Sequence, residues 1–60
     1  MRLNDLIDLC NKFKYSQGFY GRVLRDIEEM SEQEQADLDY MIQSANLQTE
    51  LDLIKWVEGV

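Results

Sequence analysis

The stretch Met30-Ser31-Glu32-Gln33-Glu34 (MSEQE, residues 30–34) decides how the chain divides. A serine followed three residues later by a glutamate is a capping box. The Ser31 hydroxyl accepts from the backbone N–H of Glu34, and the Glu34 carboxylate accepts from that of Ser31. One helix therefore ends near Met30 and another begins at Glu32.

Downstream, Leu38, Met41, Ile42 and Ala45 recur on one narrow helical face, which predicts a helix over 32–45. Asn46 suits the left-handed position that closes it. Thr49, with Glu50 and Asp52 in the following turn, opens a fourth helix over 50–58 that Gly59 ends, and its early carboxylates complement the positive end of the dipole. Leu51, Leu53, Ile54, Trp56 and Val57 cover more than half of that helix, so it is either the centre of a bundle or part of an oligomer face.

Upstream, Phe19, Val23, Ile27 and Met30 form the apolar stripe of a helix over 17–30, widened by Tyr20 and Leu24, with Ser16 as its expected N-cap. Leu3, Leu6, Ile7, Cys10 and Phe13, with Leu9 at the edge, mark a first helix over 3–14. The expected fold is all-α: one domain, residues 1–60, built as a compact bundle of four short helices. Short connections predict neighbours that pack nearly antiparallel.

Sixty residues support only a small core. Cys10 is the lone cysteine and histidine is absent, so neither an intrachain disulfide nor the common zinc patterns can staple the fold, and no cofactor is expected. Self-association is the remaining way to gain buried area. No apolar run is long enough to span a bilayer, and a single thiol fits a reducing interior, so a soluble cytoplasmic protein is expected.

The chain is acidic and lopsided. It carries 12 acidic and 6 basic side chains, a formal net charge of −6. Five of the basic residues precede Asp26, whereas Lys55 is the only one after it. Overall acidity opposes general affinity for nucleic-acid backbones, which is driven by Lys and Arg releasing counterions from phosphate.

No motif of catalysis is present: there is no histidine base, no phosphate-binding glycine loop and no nucleophile motif. The expectation is a non-enzymatic protein. Cys10 reads as a buried inert thiol, and Trp56 as either core or an interface anchor.

Gly18 and Gly21 fall with Arg22 and Arg25 on the polar side of the second helix. An interior glycine costs about 1 kcal/mol relative to alanine, so these are either tolerated turn residues or a bare strip of backbone on which a partner rests. Lys12, Lys14 and Tyr15 adjoin that strip. The candidate partner-binding residues are Gly18, Gly21, Arg22, Arg25 and Trp56. Ser16, Gln17, Arg22 and Arg25 near the start of the second helix also suit a DNA-binding helix-turn-helix, which is the alternative reading. Asp26, Glu28, Glu29, Glu32, Glu34, Asp37 and Asp39 place an acidic run that serves solubility or, as a further alternative, mimics nucleic acid.

The run YSQGFYGRVLRDIEEM (residues 15–30), its SEQE cap and the short apolar final helix resemble the small acidic helical proteins encoded by prophages and plasmids of Gram-positive bacteria. The resemblance covers the middle third of the chain and transfers no site residue. It implies a stoichiometric role, because such proteins commonly act by binding a host or phage protein. The expected function is an interaction protein that binds or inhibits a macromolecular partner, as a small homo-oligomer.

Overall fold

A computed structural model describes residues 1–59 and contains four helices: α1 (Leu3–Phe13), α2 (Gly18–Glu29), α3 (Glu32–Ser44) and α4 (Glu50–Glu58). The all-α bundle is as expected, with each boundary within two residues of its predicted place. The radius of gyration is 10.8 Å, close to the roughly 10.4 Å of a compact chain of this length.

Local chemistry explains most of the ends. Ser31 Oγ accepts from Glu34 N at 3.2 Å, and Glu34 Oε1 accepts from Ser31 N at 3.3 Å. Thr49 and Asp52 repeat the box at α4, with Asp52 N donating to Thr49 Oγ1 at 3.1 Å and Thr49 N to Asp52 Oδ2 at 3.3 Å. Asn46 adopts φ 55°, the left-handed turn that stops α3.

The start of α2 departs from expectation. Its N-cap is Gln17, without a side-chain hydrogen bond, and Ser16 does not cap it. The reason lies one helix earlier. Ser16 N and Gln17 N both donate to Phe13 O, at 3.0 and 2.9 Å, so Ser16 belongs to the turn that closes α1.

Among the described residues, nine side chains form the core: Leu6, Leu9 and Cys10 of α1, Tyr20, Leu24 and Ile27 of α2, Ile42 of α3, and Leu53 and Val57 of α4. Two helices are rotated from their expected phase. In α1 the expected edge residue Leu9 is buried, whereas Leu3 and Ile7 are half-buried. In α2 the inward residues are Tyr20, Leu24 and Ile27, not the full Phe19–Val23–Ile27–Met30 stripe. An apolar arc this broad has two possible centres, and packing against α1 selects the Tyr20 side. Phe13 and Tyr20 meet there with ring centroids 5.6 Å apart. Met41, expected on the inner face of α3, is 51% exposed, which leaves Ile42 as the fully buried anchor of that helix.

Polar ties to α3 fix the ends of two helices. Arg2 grips Asp39 through Nε–Oδ1 at 3.2 Å and Nη2–Oδ2 at 2.9 Å, while Leu3 N donates to Asp39 Oδ1 at 2.8 Å. A carboxylate of α3 thus caps the N-terminus of α1, where the helix dipole also favours negative charge. Gln35 Nε2 donates to Ile27 O at 2.9 Å and Met30 O at 3.3 Å, satisfying carbonyls that the end of α2 leaves free.

The Asp39 tie is titratable. Hydrogen bonding from Arg2, with the Leu3 N–H next, holds its carboxyl below the ordinary aspartate value of 3.8. A depressed acid contributes stability that is whole above the unfolded-state value and is lost as pH falls through the folded one. We expect Asp39→Asn to lower the urea midpoint at neutral pH and Asp37→Asn to leave it unchanged. The gap between Asp39→Asn and wild type should close as pH drops below 3.8. Equal midpoints for the two variants at neutral pH would contradict the assigned cap.

Candidate interaction site

An apolar groove lies between α2, α3 and α4. Its floor is the core itself, at Leu6, Ile27 and Val57. Its walls are Val23 of α2, Leu38 of α3 and Trp56 of α4, and its rim is Phe19, Met30 and Met41 with the carboxylate of Asp26. The groove encloses about 220 Å³, whereas an engineered apolar cavity of roughly 150 Å³ already accepts benzene. One large apolar side chain can enter it.

The groove exists because of how the helices share the core. The backbone of α1 runs closest to α2 and next to α3, while α4 joins the others through its long side chains. Leu53 and Val57 reach the centre and Trp56 leans over the opening, half-buried. Trp56 is therefore neither wholly core nor wholly free. Phe19 at 38% exposure and Met41 at 51% stand on the lip.

Helix α2 supplies the long side of this groove, and its own chemistry opposes it. It has no side-chain N-cap, no acidic residue in its first turn and no basic residue in its last. Arg22 and Arg25 lie in its middle turns, and Asp26, Glu28 and Glu29 follow them in the last turn. The helix dipole favours the reverse distribution, carboxylates early and cations late. Packing of Tyr20, Leu24 and Ile27, the Tyr20 hydroxyl on Glu58 and the amide of Gln35 hold it in place.

Four of the five sequence-predicted residues lie on α2, in two neighbouring strips of its polar face, and Trp56 lies on α4. Arg22 stands next to Asp26 and Phe19 on the groove side, where Trp56 faces α2 across the opening. Gly18, Gly21 and Arg25 occupy the outer flank. Gly18 is fully open: a Cβ there would meet nothing within 4 Å. Gly21 is half-buried beside the end of α1, and a Cβ would touch Lys14 O at 3.8 Å and Lys14 Cβ at 3.9 Å, which is ordinary contact. Neither has positive φ. The fold does not require glycine at either position.

The basic residues are unequal once the structure is known. Arg2 pairs with Asp39 at 2.9 Å and Lys12 with Glu50 at 3.2 Å. Among the described residues, Arg22 and Arg25 have no carboxylate within ion-pair distance. The acidic run divides in the same way. Glu34 caps α3, Asp37 accepts from Gln33, and Asp39 caps α1, whereas Asp26, Glu28, Glu29 and Glu32 are exposed and accept no side-chain hydrogen bond among the described residues. Their helices spread them: no three Asp, Glu or Cys side chains among the described residues converge as a metal-ligand set would.

Two groups have buried chemistry of a structural kind. Cys10 is fully buried, and burial pushes its thiol pKa up, which suppresses the reactive thiolate. Tyr20 is pushed up first by burial and then by Glu58, to whose Oε1 its hydroxyl donates at 3.5 Å. That contact joins α2 to the last turn of α4.

The groove and the lip carboxylate at Asp26 are the features that sequence reasoning missed. The signal available was the width of the α2 arc: six apolar residues from Phe19 to Met30 exceed what one neighbouring helix can cover. Comparison with protein-family models, with curated proteins and with solved structures found no match for this chain.

Proposed function

We propose that the chain is a non-enzymatic interaction protein of the cytoplasm, which binds a macromolecular partner, namely another protein, through α2. The observation that carries this reading is the conflict within that helix. Natural sequences keep local preferences consistent with the fold, and violations without compensation concentrate where function requires them. Here the uncapped start, the two dispensable glycines and the dipole-opposed charges all fall on one element, which also borders an open apolar groove.

The outer flank suits a close-approaching protein backbone. Gly18 and Gly21 present no side chain, and Arg25 adds an unpaired guanidinium able to fork onto a carboxylate. DNA recognition by the same helix is disfavoured by Asp26, Glu28 and Glu29, which would bring three carboxylates toward phosphate. Mimicry of nucleic acid is disfavoured because Asp39 is half-buried and neutralised by Arg2, and Glu34 is committed to the α3 cap, so the seven carboxylates do not form one free track. A binding role also accords with the resemblance to mobile-element proteins.

The test is affinity capture from a lysate of the native cells with tagged wild type and tagged Arg25→Glu. A protein retained in stoichiometric amount by wild type and lost from the variant is the expected result. Retention of nucleic acid alone, or no difference between the two baits, would contradict the reading.

A further inference from the structure

The geometry points to a second copy of this chain as the occupant of the groove, docked as a two-fold dimer in which the α2 helices run antiparallel. This inference rests on the reading of α2 as the interaction element and deepens it, because it assigns the groove flank and leaves the Gly18–Gly21–Arg25 flank facing outward for the other protein.

Along the groove flank of α2, Arg22 lies one turn before Asp26 and two turns before Glu29. Arg22 and Asp26 form no ion pair within one chain, and cation-before-anion is the poorer order for such a pair on a helix. Two-fold pairing of antiparallel helices brings like flanks together in reversed order. Arg22 of one copy then lies between Asp26 and Glu29 of the other, and the reciprocal contact forms at the same time. Parallel pairing would set arginine on arginine and aspartate on aspartate. The flank is self-complementary in one orientation only.

Shape agrees with charge. In the register that joins Arg22 to Asp26, Phe19 of one copy lies opposite the Met30 end of α2 in the other, where Met30 and Met41 form the lip. Phe19 is 38% exposed in the single chain, an aromatic ring with space before it, and the groove has about 220 Å³ to receive such a ring. Methionine is the side chain that adapts most readily to an inserted ring and makes favourable sulfur–aromatic contact. Closing the groove would also cover the exposed edge of Trp56 and remove Asp26 from the lip of an unfilled apolar site. It would give a chain with nine core residues the added buried area that small folds without disulfide or metal obtain by oligomerising.

Sedimentation velocity on designed charge variants tests this. Arg22→Glu makes the flank wholly acidic, and Asp26→Arg/Glu29→Arg makes it wholly basic, so each alone should weaken the dimer by roughly tenfold or more. Mixed one to one, the two variants are complementary at every contact and should regain dimer mass as a heterodimer. Helical circular dichroism on each variant reports folding; if Arg22→Glu loses helicity, Arg22→Gln replaces it, with the same expected weakening. Wild type that remains a monomer into the high micromolar range, a dimer indifferent to Arg22→Glu, or a mixture that fails to pair would overturn the inference. These failures leave the capture experiment unaffected, since Arg25 belongs to the neighbouring strip with Gly18 and Gly21 and is not one of the Arg22–Asp26–Glu29 contacts. No protein retained by wild type, or equal retention by wild type and Arg25→Glu, with an intact dimer would instead remove the outer-flank reading alone.

Discussion

Ile42→Ala is expected to unfold the chain at room temperature. Ile42 is fully buried, and among the described residues it is the only core side chain that α3 contributes. Truncating such a residue costs about 2–5 kcal/mol, because the lost transfer energy is joined by the cavity left behind. A single unstapled core of this size rarely supplies more than about 3–5 kcal/mol. The substitution therefore removes most or all of the margin. Far-UV circular dichroism should show loss of helicity, and urea titration no cooperative transition. Met41→Ala, one residue away but 51% exposed, serves as the control and should retain a transition near that of wild type. A cooperative Ile42→Ala protein with a wild-type midpoint would mean that α3 is held by something other than this core.

The second large effect has the opposite sign. Gly21→Ala combined with Glu28→Lys should stabilise the protein. At Gly21 the added Cβ makes ordinary contact with Lys14, and φ is not positive, so alanine contributes about 0.5–1 kcal/mol by restricting the unfolded chain. Lysine at position 28 replaces a carboxylate with a cation at the negative end of α2, which contributes about 0.3–1 kcal/mol at low ionic strength. For a domain this small each kcal/mol raises the melting temperature by roughly 4–8 °C, so thermal denaturation should read a gain of several degrees. Both positions lie on the outer flank, away from Arg22, Phe19 and Met30. The same variant should form the dimer normally but lose the captured protein, because a side chain then stands where backbone was bare. A fall in melting temperature would mean that the fold itself needs the glycine.

The parts of this structure that were legible in the sequence depend on residues within a few positions of one another. The Ser31–Glu34 cap, the start of α4 at Thr49, the left-handed Asn46 and the extents of the four helices are all set locally, and each reappears within a residue of its place. The phase of α2 was not legible. Phe19, Val23 and Met30 are as apolar as Tyr20, Leu24 and Ile27, and only the position of α1 decides which set turns inward. Ser16 misleads for a related reason, since its role was set by the Phe13 carbonyl behind it and not by the helix ahead. The Arg2–Asp39 tie joins residues 37 positions apart, and the Gln35 cap acts on a helix other than its own. No local pattern announces such contacts. Of the candidate site, the glycines and arginines were legible as a polar face, but its division into two flanks required knowing where α3 and α4 leave a gap.

On the proposed reading, α2 is built for contact at the expense of its own stability. Amide and indole chemical shifts of isotope-labelled wild type, followed across a protein concentration series, test it most directly. Concentration-dependent shifts are expected at Phe19, Arg22, Val23, Asp26 and Met30, with the Trp56 indole N–H moving in step, and constant shifts at Tyr15, Tyr40 and Leu51, which are exposed at 91%, 72% and 58%. Shifts that concentrate at Tyr40 or Leu51 while α2 stays constant would contradict it.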